Sequence, residues 1–226
     1  MGYLIFILKK EIMNIKNFSA ALGVALTAAV ISVNAQKTYT EGIVTYMTNM
    51  RGQDVEVKEY FRPDSNAVTY TAGSATIKIL SDANQKSFAI LIDVPQASIK
   101  KAAIMNPDEI EQAKNALPSF TYSPGSETKQ ISGFNCRKIV ATNTKDQKTF
   151  EVWITNDIIV PSSAIPPYYK EIGGFPVQYS IFQNGQSSNV KVSGVTGQKA
   201  PPGTFGIASD FDKITMADLK AMSGGN

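Results

Sequence analysis

The stretch 177-VQYSIFQNGQSSNVKVSGVT-196 decides the fold class of this chain. Apolar residues recur at every second position before the central Asn184-Gly185 pair, at 177, 179 and 181, and again after it, at 190 and 192. A period of two is typical of a strand with one buried face. Asn-Gly favours a type I′ turn because both central residues of that turn need a positive φ. The stretch therefore predicts an antiparallel β-hairpin.

The same alternation recurs through most of the chain after residue 41. Val55, Val57 and Phe61 alternate with charged neighbours, and residues 88–92 are apolar at every position, which predicts a strand covered on both faces. Other strand-like runs contain Ile77 with Ile79, residues 134–141, and Phe150 with Val152 and Ile154.

Short polar connections, such as Pro63-Asp64 and Gly73-Ser74, separate neighbouring strands. Parallel strands need crossovers of a dozen residues or more, so these connections favour a single antiparallel meander. A β-sandwich shares the same signals and stays an alternative. The fold class is therefore predicted as mainly β with few helices.

Two segments carry helix signals. Asn106 suits an N-cap, Pro107 suits the first turn, and the acidic residues that follow complement the positive end of the helix dipole. Pro118 ends this helix. A weaker amphipathic pattern predicts a second helix over residues 215–222.

Histidine is absent from all 226 positions. This removes the usual general base and the commonest transition-metal ligand. Neither a phosphate-binding glycine loop nor a paired-cysteine metal spacing occurs. The sequence therefore predicts no catalytic residue, no metal site and no cofactor, with an unusual hydrolase or thiol enzyme as a minor alternative.

Cys136 is the single cysteine, so no internal disulfide forms. Arg137 and Lys138 follow it directly, and nearby positive charge favours a reactive thiolate. Free cysteine is also among the most buried residue types and behaves as a small apolar side chain. We favour the second interpretation.

Residues 13–35 have the pattern of a cleavable export signal. Lys16 provides the positive start, residues 18–33 the apolar run, and Val33-Asn34-Ala35 the small-residue exit. Met13 is favoured as the true start over a longer leader. A spanning helix needs about 20 mostly apolar residues, so cleavage is favoured over an anchor. The sequence predicts a leader over 1–35, a single β-rich domain over 36–226, and a periplasmic or secreted protein without a stable membrane span.

The charge of the chain gives no sign of a nucleic-acid partner. The leader holds three of the 22 basic and one of the 19 acidic residues, so the remainder carries a net charge of about +1. Binding of nucleic acid needs a clustered positive face, and the sequence shows none.

Several motifs in the second half resemble a known family. The segments 130-QISGFNCRK-138, 150-FEVWITNDI-158 and 173-GGFPV-177, followed by residues 211–222, resemble in order and spacing the elements of the domain of unknown function 4412 family of exported bacterial proteins, common in Bacteroidetes. That family is similar in outline to the LolA/LolB-like periplasmic carriers. The resemblance implies a curved, incompletely closed half-barrel covered by one or two helices, with an apolar face for acyl chains, and it implies no catalytic residue.

These observations lead to two hypotheses. The first is an exported, non-catalytic carrier of a lipid or other apolar ligand, bound by Ile77, Ile79, Val152, Ile154, Tyr168, Tyr169, Tyr179 and Ile181. Both Tyr168 and Tyr169 belong to the proline-flanked stretch 165–169, which would cover an apolar cleft or pack as a stiff connection on the sheet edge. The second hypothesis is an envelope protein with a filled core that binds another protein. An open apolar cavity would favour the first.

Overall fold

The structure, a computed structural model, describes residues 36–50, 52–183 and 185–222. The predicted leader over residues 1–35 lies outside these ranges. All described residues belong to one compact unit, Ala35–Asn226. Within this unit, neither described helix is long and apolar enough to cross a membrane.

The described residues form fourteen strands and two α-helices. The strands are β1 (Lys37–Thr38), β2 (Gly42–Met50), β3 (Gln53–Arg62), β4 (Ser65–Ala72), β5 (Ala75–Asp82), β6 (Phe88–Val94), β7 (Ile99–Ile104), β8 (Phe120–Ile131), β9 (Phe134–Asn143), β10 (Thr149–Thr155), β11 (Ile158–Ile159), β12 (Phe175–Gln183), β13 (Gln186–Thr196) and β14 (Asp212–Thr215). The helices are α1 (Pro107–Asn115) and α2 (Met216–Met222).

Twelve of these strands form one open sheet in the order β14-β7-β6-β5-β4-β3-β2-β13-β12-β10-β9-β8. The two edge strands of this order, β14 and β8, do not pair with each other, so the sheet is not closed. Strands β1 and β11 form a separate parallel pair. The predicted mainly β, open architecture is confirmed, and the large strands form one sheet rather than a sandwich.

The sheet is not one continuous meander, however. Strands β2 to β7 form one antiparallel run and β8 to β10 another, and the β12–β13 hairpin lies between them by pairing with β2 and β10. At the far edge β14 pairs with β7 in parallel, where Lys101 forms an ion pair with Asp212 at 2.8 Å. Alternation along the chain indicates strands but not their distant partners, which is why the prediction missed these pairings.

The connection between β7 and β8 shows that the sheet is curved. These strands lie ten strand positions apart, which is about 48 Å along the sheet at about 4.8 Å per strand. Residues 105–119 join them, and α1, nine residues long, spans about 13 Å of the path. The remaining residues add at most about 29 Å when extended. Because the connection is shorter than the path along the sheet, the sheet cannot be flat, consistent with a half-barrel.

Local sequence signals correctly placed the hairpin and the first helix. Strands β12 and β13 pair around Gly185, whose φ is +75°. Helix α1 begins with a capping box: the Asn106 side chain accepts from the Glu109 amide at 2.9 Å, and the Glu109 carboxylate accepts from the Asn106 amide at 2.8 Å. Ile110 is its one buried residue. The second predicted helix is present as α2.

The sheet has two distinct faces. The front face carries a row that pairs in turn across β2 to β6, namely Val44, Glu59, Val68, Ile79 and Ile90. The back face carries the buried cluster Ala67, Leu80, Ala89, Leu91 and Ala102. Phe205, Ile207 and Phe211, from the irregular segment between β13 and β14, pack against this back-face cluster.

The prediction that residues 88–92 are covered on both faces holds for one face only. Ala89 and Leu91 are buried on the back face, whereas Ile90 and Ile92 remain half-buried on the front face. The segment between β13 and β14 covers the back face at this point. Among the described residues, no segment covers the front face of β6 to the same extent. Apolar side chains are therefore left partly accessible there.

Candidate functional site

A segment that we call the strap, residues 160–172, crosses the front face. It leaves β11 and leads towards β12, but its middle reaches the far ends of β3 and β4. There the Ser163 hydroxyl donates to the Arg62 carbonyl at 2.6 Å, and the Asn66 side chain donates to the Ser163 carbonyl at 2.9 Å. Further along, the Lys170 ammonium donates to the Ala83 carbonyl at 3.4 Å. The strap is therefore fastened to strands far from it in sequence.

Seven aromatic rings, which we call the aromatic cluster, pack between the strap and the sheet, and two of them belong to the strap itself. They are Phe120, Tyr122, Phe150, Tyr168, Tyr169, Tyr179 and Phe182. Tyr169 is fully buried, stacks on Phe120 with ring centroids 5.9 Å apart, and donates from its hydroxyl to the Ser180 carbonyl at 3.0 Å. The Tyr122 hydroxyl donates to the Tyr168 carbonyl. This half of the front face is a packed core.

The eight predicted ligand-binding residues divide into two groups. Six of them belong to the filled part or pack against it: Val152, Ile154, Tyr168, Tyr169, Tyr179 and Ile181. The other two, Ile77 and Ile79, lie on β5 away from this core and remain half-buried. The structure therefore does not bring all eight together around one opening.

Ile77 and Ile79 instead belong to a group of half-buried side chains that we call the open stripe. Its members share the front face of β4 to β6 and are paired across the strands: Val68, which also packs against the filled core, and Ile77, Ile79, Ile90 and Ile92. Apolar side chains gain about 25 cal/mol for each Å² removed from water, so a contiguous set that stays partly accessible favours binding of an apolar partner. The open stripe is the candidate site.

Glu59 marks the boundary between the open stripe and the filled core. On one side it pairs with Val44, which is 1% exposed, and on the other side with half-buried Val68. Its side chain keeps some accessible surface, yet burial raises its pKa to about 8, an effect that the hydrogen bond from Asn66 partly offsets. Both properties fit a carboxyl group at the margin of the packed core rather than one on an exposed surface.

Sequence reasoning missed Glu59, although a signal was present. Val55, Val57 and Phe61 establish one face of β3, and position 59 falls on that same face. An acidic residue at an apolar position of a strand is unfavourable unless it is paired or functional. Within the described residues no lysine or arginine pairs with Glu59. The signal to look for is therefore a charge that breaks the apolar alternation.

Cys136 lies elsewhere, beside an open recess of about 410 Å³. The recess is lined by Thr128, Lys129, Gln130, Asn135, Cys136, Arg137, Ile154, Asn156 and Asp157. The side chain is 3% exposed, and burial raises the pKa of the thiol to about 11. The two cationic residues that follow Cys136 interact with groups other than the thiol. Arg137 donates to the Gly173 carbonyl, and Lys138 forms ion pairs with Glu127 and Glu151. Cys136 is thus a protonated packing residue.

We expect the Cys136 thiol to react slowly with an aromatic disulfide reagent at pH 7.4, because only the thiolate attacks and little is present. Labelling should become complete within minutes once the protein is unfolded in denaturant. The measurement is the absorbance of the released thiol with and without denaturant. Rapid, stoichiometric labelling of the folded protein would contradict this expectation and revive the thiol-enzyme alternative.

Comparisons with known proteins give only distant structural likenesses. No family model and no curated protein matches the chain. Among solved structures, PNGF-II is 17% identical with a TM-score of 0.49, and the match covers 81% of this chain and 33% of that one. This chain therefore spans about one third of the length of PNGF-II.

Two further solved structures are similar to this chain. An uncharacterised conserved protein from Thermus thermophilus is 9% identical with a TM-score of 0.45, covering 78% of this chain and 90% of its own. A DUF1329 family protein from Desulfovibrio piger is 8% identical with a TM-score of 0.29, covering 69% and 83%. The predicted family resemblance is not confirmed. The resemblance to the LolA/LolB-like carriers stays a prediction.

Proposed function

We propose that this protein is an exported, non-catalytic binding or carrier module for a lipid or another apolar ligand. The observation that carries the proposal is the open stripe, a paired set of half-buried aliphatic side chains beside a filled core on the same sheet face. The chain would act in the periplasm or outside the cell after removal of residues 1–35. Cleavage after Ala35, read from the intact mass of protein recovered from cells, tests the export part.

The filled half of the front face supports this function by holding the open half in place. The strap ties β3 and β4 to the region around β12 through hydrogen bonds on both sides of the aromatic cluster. A ligand bound on the open stripe would therefore meet a preformed surface, which limits the entropy lost on binding. The ligand-binding residues in this proposal are Val68, Ile77, Ile79, Ile90 and Ile92.

We expect the purified protein to release a lipid on solvent extraction and to bind the uncharged fluorescent probe N-phenylnaphthylamine. The substitution Ile79→Glu should weaken probe binding at least tenfold, because about 1.4 kcal/mol suffices for that factor and a carboxylate on an apolar surface costs more. The matched control is Lys78→Glu, which places the same side chain on the back face of the same strand. Equal weakening by both variants, or no probe binding, would contradict the proposal.

The second candidate is an envelope protein that binds another protein. The observation in its favour is the edge strand β8, whose twelve residues leave one side of the strand without a partner in the sheet. Such an edge offers backbone donors and acceptors to an added strand. Retention of a stable protein partner by the Ile79→Glu variant would favour this candidate over the carrier.

A further inference from the structure

We propose that the ligand of the open stripe is an amphiphile with a cationic, hydrogen-bond-donating head, such as an alkylammonium, and that Glu59 binds this head. The inference rests on the proposed function and adds to it the chemistry of the ligand's polar end. The argument combines the position of Glu59, the charges around it and the groups that it touches.

The position of Glu59 sets where a head group would lie. In the row across the front face half-buried Glu59 stands between buried Val44 and half-buried Val68, so it directly neighbours the open stripe. The row continues from Val68 to Ile79 and Ile90. A chain lying on these residues would therefore bring its polar end against the Glu59 carboxyl group.

Once Glu59 is ionised, above its pKa of about 8, the charges on this face favour a cation at that point. Asn66 donates to one oxygen of Glu59, and no cationic side chain in the described ranges neutralises it. The strap also carries a cation, Lys170, whose ammonium donates to the Ala83 carbonyl at 3.4 Å and does not shift the pKa of Glu59. Within the sheet, the nearest front-face cation by register is Lys101 on β7. It lies four strands away, about 19 Å at about 4.8 Å per strand, and already pairs with Asp212 at 2.8 Å. A carboxylate or phosphate head would meet the Glu59 carboxyl without an unpaired cation beside it.

The other titratable groups around Glu59 are phenols. Besides burial, the charge of Glu59 raises the pKa of Tyr46 on β2 and of Tyr179 on β12. Tyr168 of the strap interacts electrostatically with both tyrosines, and Tyr70 on β4 interacts with Tyr46. Burial raises the pKa of Tyr46, Tyr168 and Tyr179 above the ordinary phenol value, so these three stay neutral at physiological pH. They add polar but uncharged surface, which suits an ammonium group and offers no positive charge to an anion.

The affinity for an ammonium head should depend on pH in a defined direction. Glu59 has a pKa of about 8, so the fraction of carboxylate rises between pH 6 and 8.5. An alkylammonium group stays protonated over this interval, as lysine does. Binding of the ammonium should therefore strengthen at least tenfold from pH 6 to pH 8.5, whereas binding of an uncharged alcohol should not change.

The test is displacement of N-phenylnaphthylamine from the purified protein by dodecanol, dodecylammonium and dodecanoate, below micelle-forming concentrations. At pH 8.5 we expect dodecylammonium to bind at least tenfold more tightly than dodecanoate. Glu59→Gln keeps the acceptor for Asn66 but removes the charge, so it should abolish this preference in a variant that still binds dodecanol. Glu56→Gln removes an exposed carboxylate from the back face of the same strand and should keep the preference.

The outcomes separate this inference from the proposed function. Binding of dodecanol without a preference for the ammonium, or a preference that survives Glu59→Gln, would overturn the inference and leave the carrier function standing. A preference for dodecanoate would indicate a cation such as Lys101 or Lys170 at the head group and would also overturn the inference. Failure of all three compounds and of the probe to bind would overturn both.

Discussion

Replacement of Tyr169 by alanine is expected to lower the free energy of unfolding by about 3–5 kcal/mol, the usual cost of truncating a large buried aromatic side chain. Tyr169 is fully buried and packs against Phe120, Tyr168 and Tyr179. Its removal leaves a cavity between the strap and the sheet. Because the strap is irregular, it depends on such side-chain contacts more than a paired strand does.

The conservative variant Tyr169→Phe separates packing from hydrogen bonding. It keeps the ring and loses only the bond to the Ser180 carbonyl, so it should cost about 0.5–1.5 kcal/mol. Urea unfolding followed by tryptophan fluorescence gives both values, since Trp153 is buried in the same core. An alanine variant within about 1 kcal/mol of the unchanged protein would mean that the strap does not stabilise the fold.

The second large effect is the dependence of stability on pH that Glu59 imposes. Its pKa is raised from 4.5 to about 8 in the folded protein. Below pH 4.5 the Glu59 carboxyl is protonated in both the folded and the unfolded state, so its ionisation does not lower the free energy of unfolding. Between the two values the unfolded chain has released the proton while the folded chain retains it, so stability falls as pH rises. Well above pH 8 the loss is complete and is on the order of 5 kcal/mol.

The variant Glu59→Gln should remove this loss. We expect it to be more stable than the unchanged protein at pH 8.5 by a few kcal/mol more than at pH 5.5. The chain contains no histidine, so few other groups titrate in this interval. Urea unfolding at the two pH values measures the difference, with Glu56→Gln as control. A difference that is the same at both pH values would show that Glu59 ionises normally in the folded state.

Together these two experiments describe the two halves of the front face. Tyr169 belongs to the aromatic cluster in the filled half. Glu59 lies at the boundary between the filled core and the open stripe. A half-filled sheet explains why the two hypotheses from the sequence were hard to separate. The filled part fits a protein with a packed core, whereas the open stripe fits a carrier, and the structure contains both.

The candidate site was only partly predictable. Ile77 and Ile79 were placed correctly on one face of a strand because alternation with Lys78 is visible locally. Val152, Ile154 and Tyr179 were assigned to their strands for the same reason. Whether a given face is open or covered depends on segments more than a hundred residues away, as the bond from Ser163 to Arg62 shows. The alternation of apolar residues along a strand does not indicate which distant segment will cover its face.

By itself, then, the sequence determined the local elements of this protein: the hairpin at Gly185, the alternating strands, and helix α1 with its Asn106 cap. These depend on backbone conformation and on neighbours within a few residues, which composition and spacing reveal directly. Only the tertiary structure decided that β2 joins β13, that the strap fills one half of the front face, and that Glu59 lies where the filled core meets the open stripe. Those features depend on which distant surfaces exclude water from one another, and that is a property of the whole packed chain.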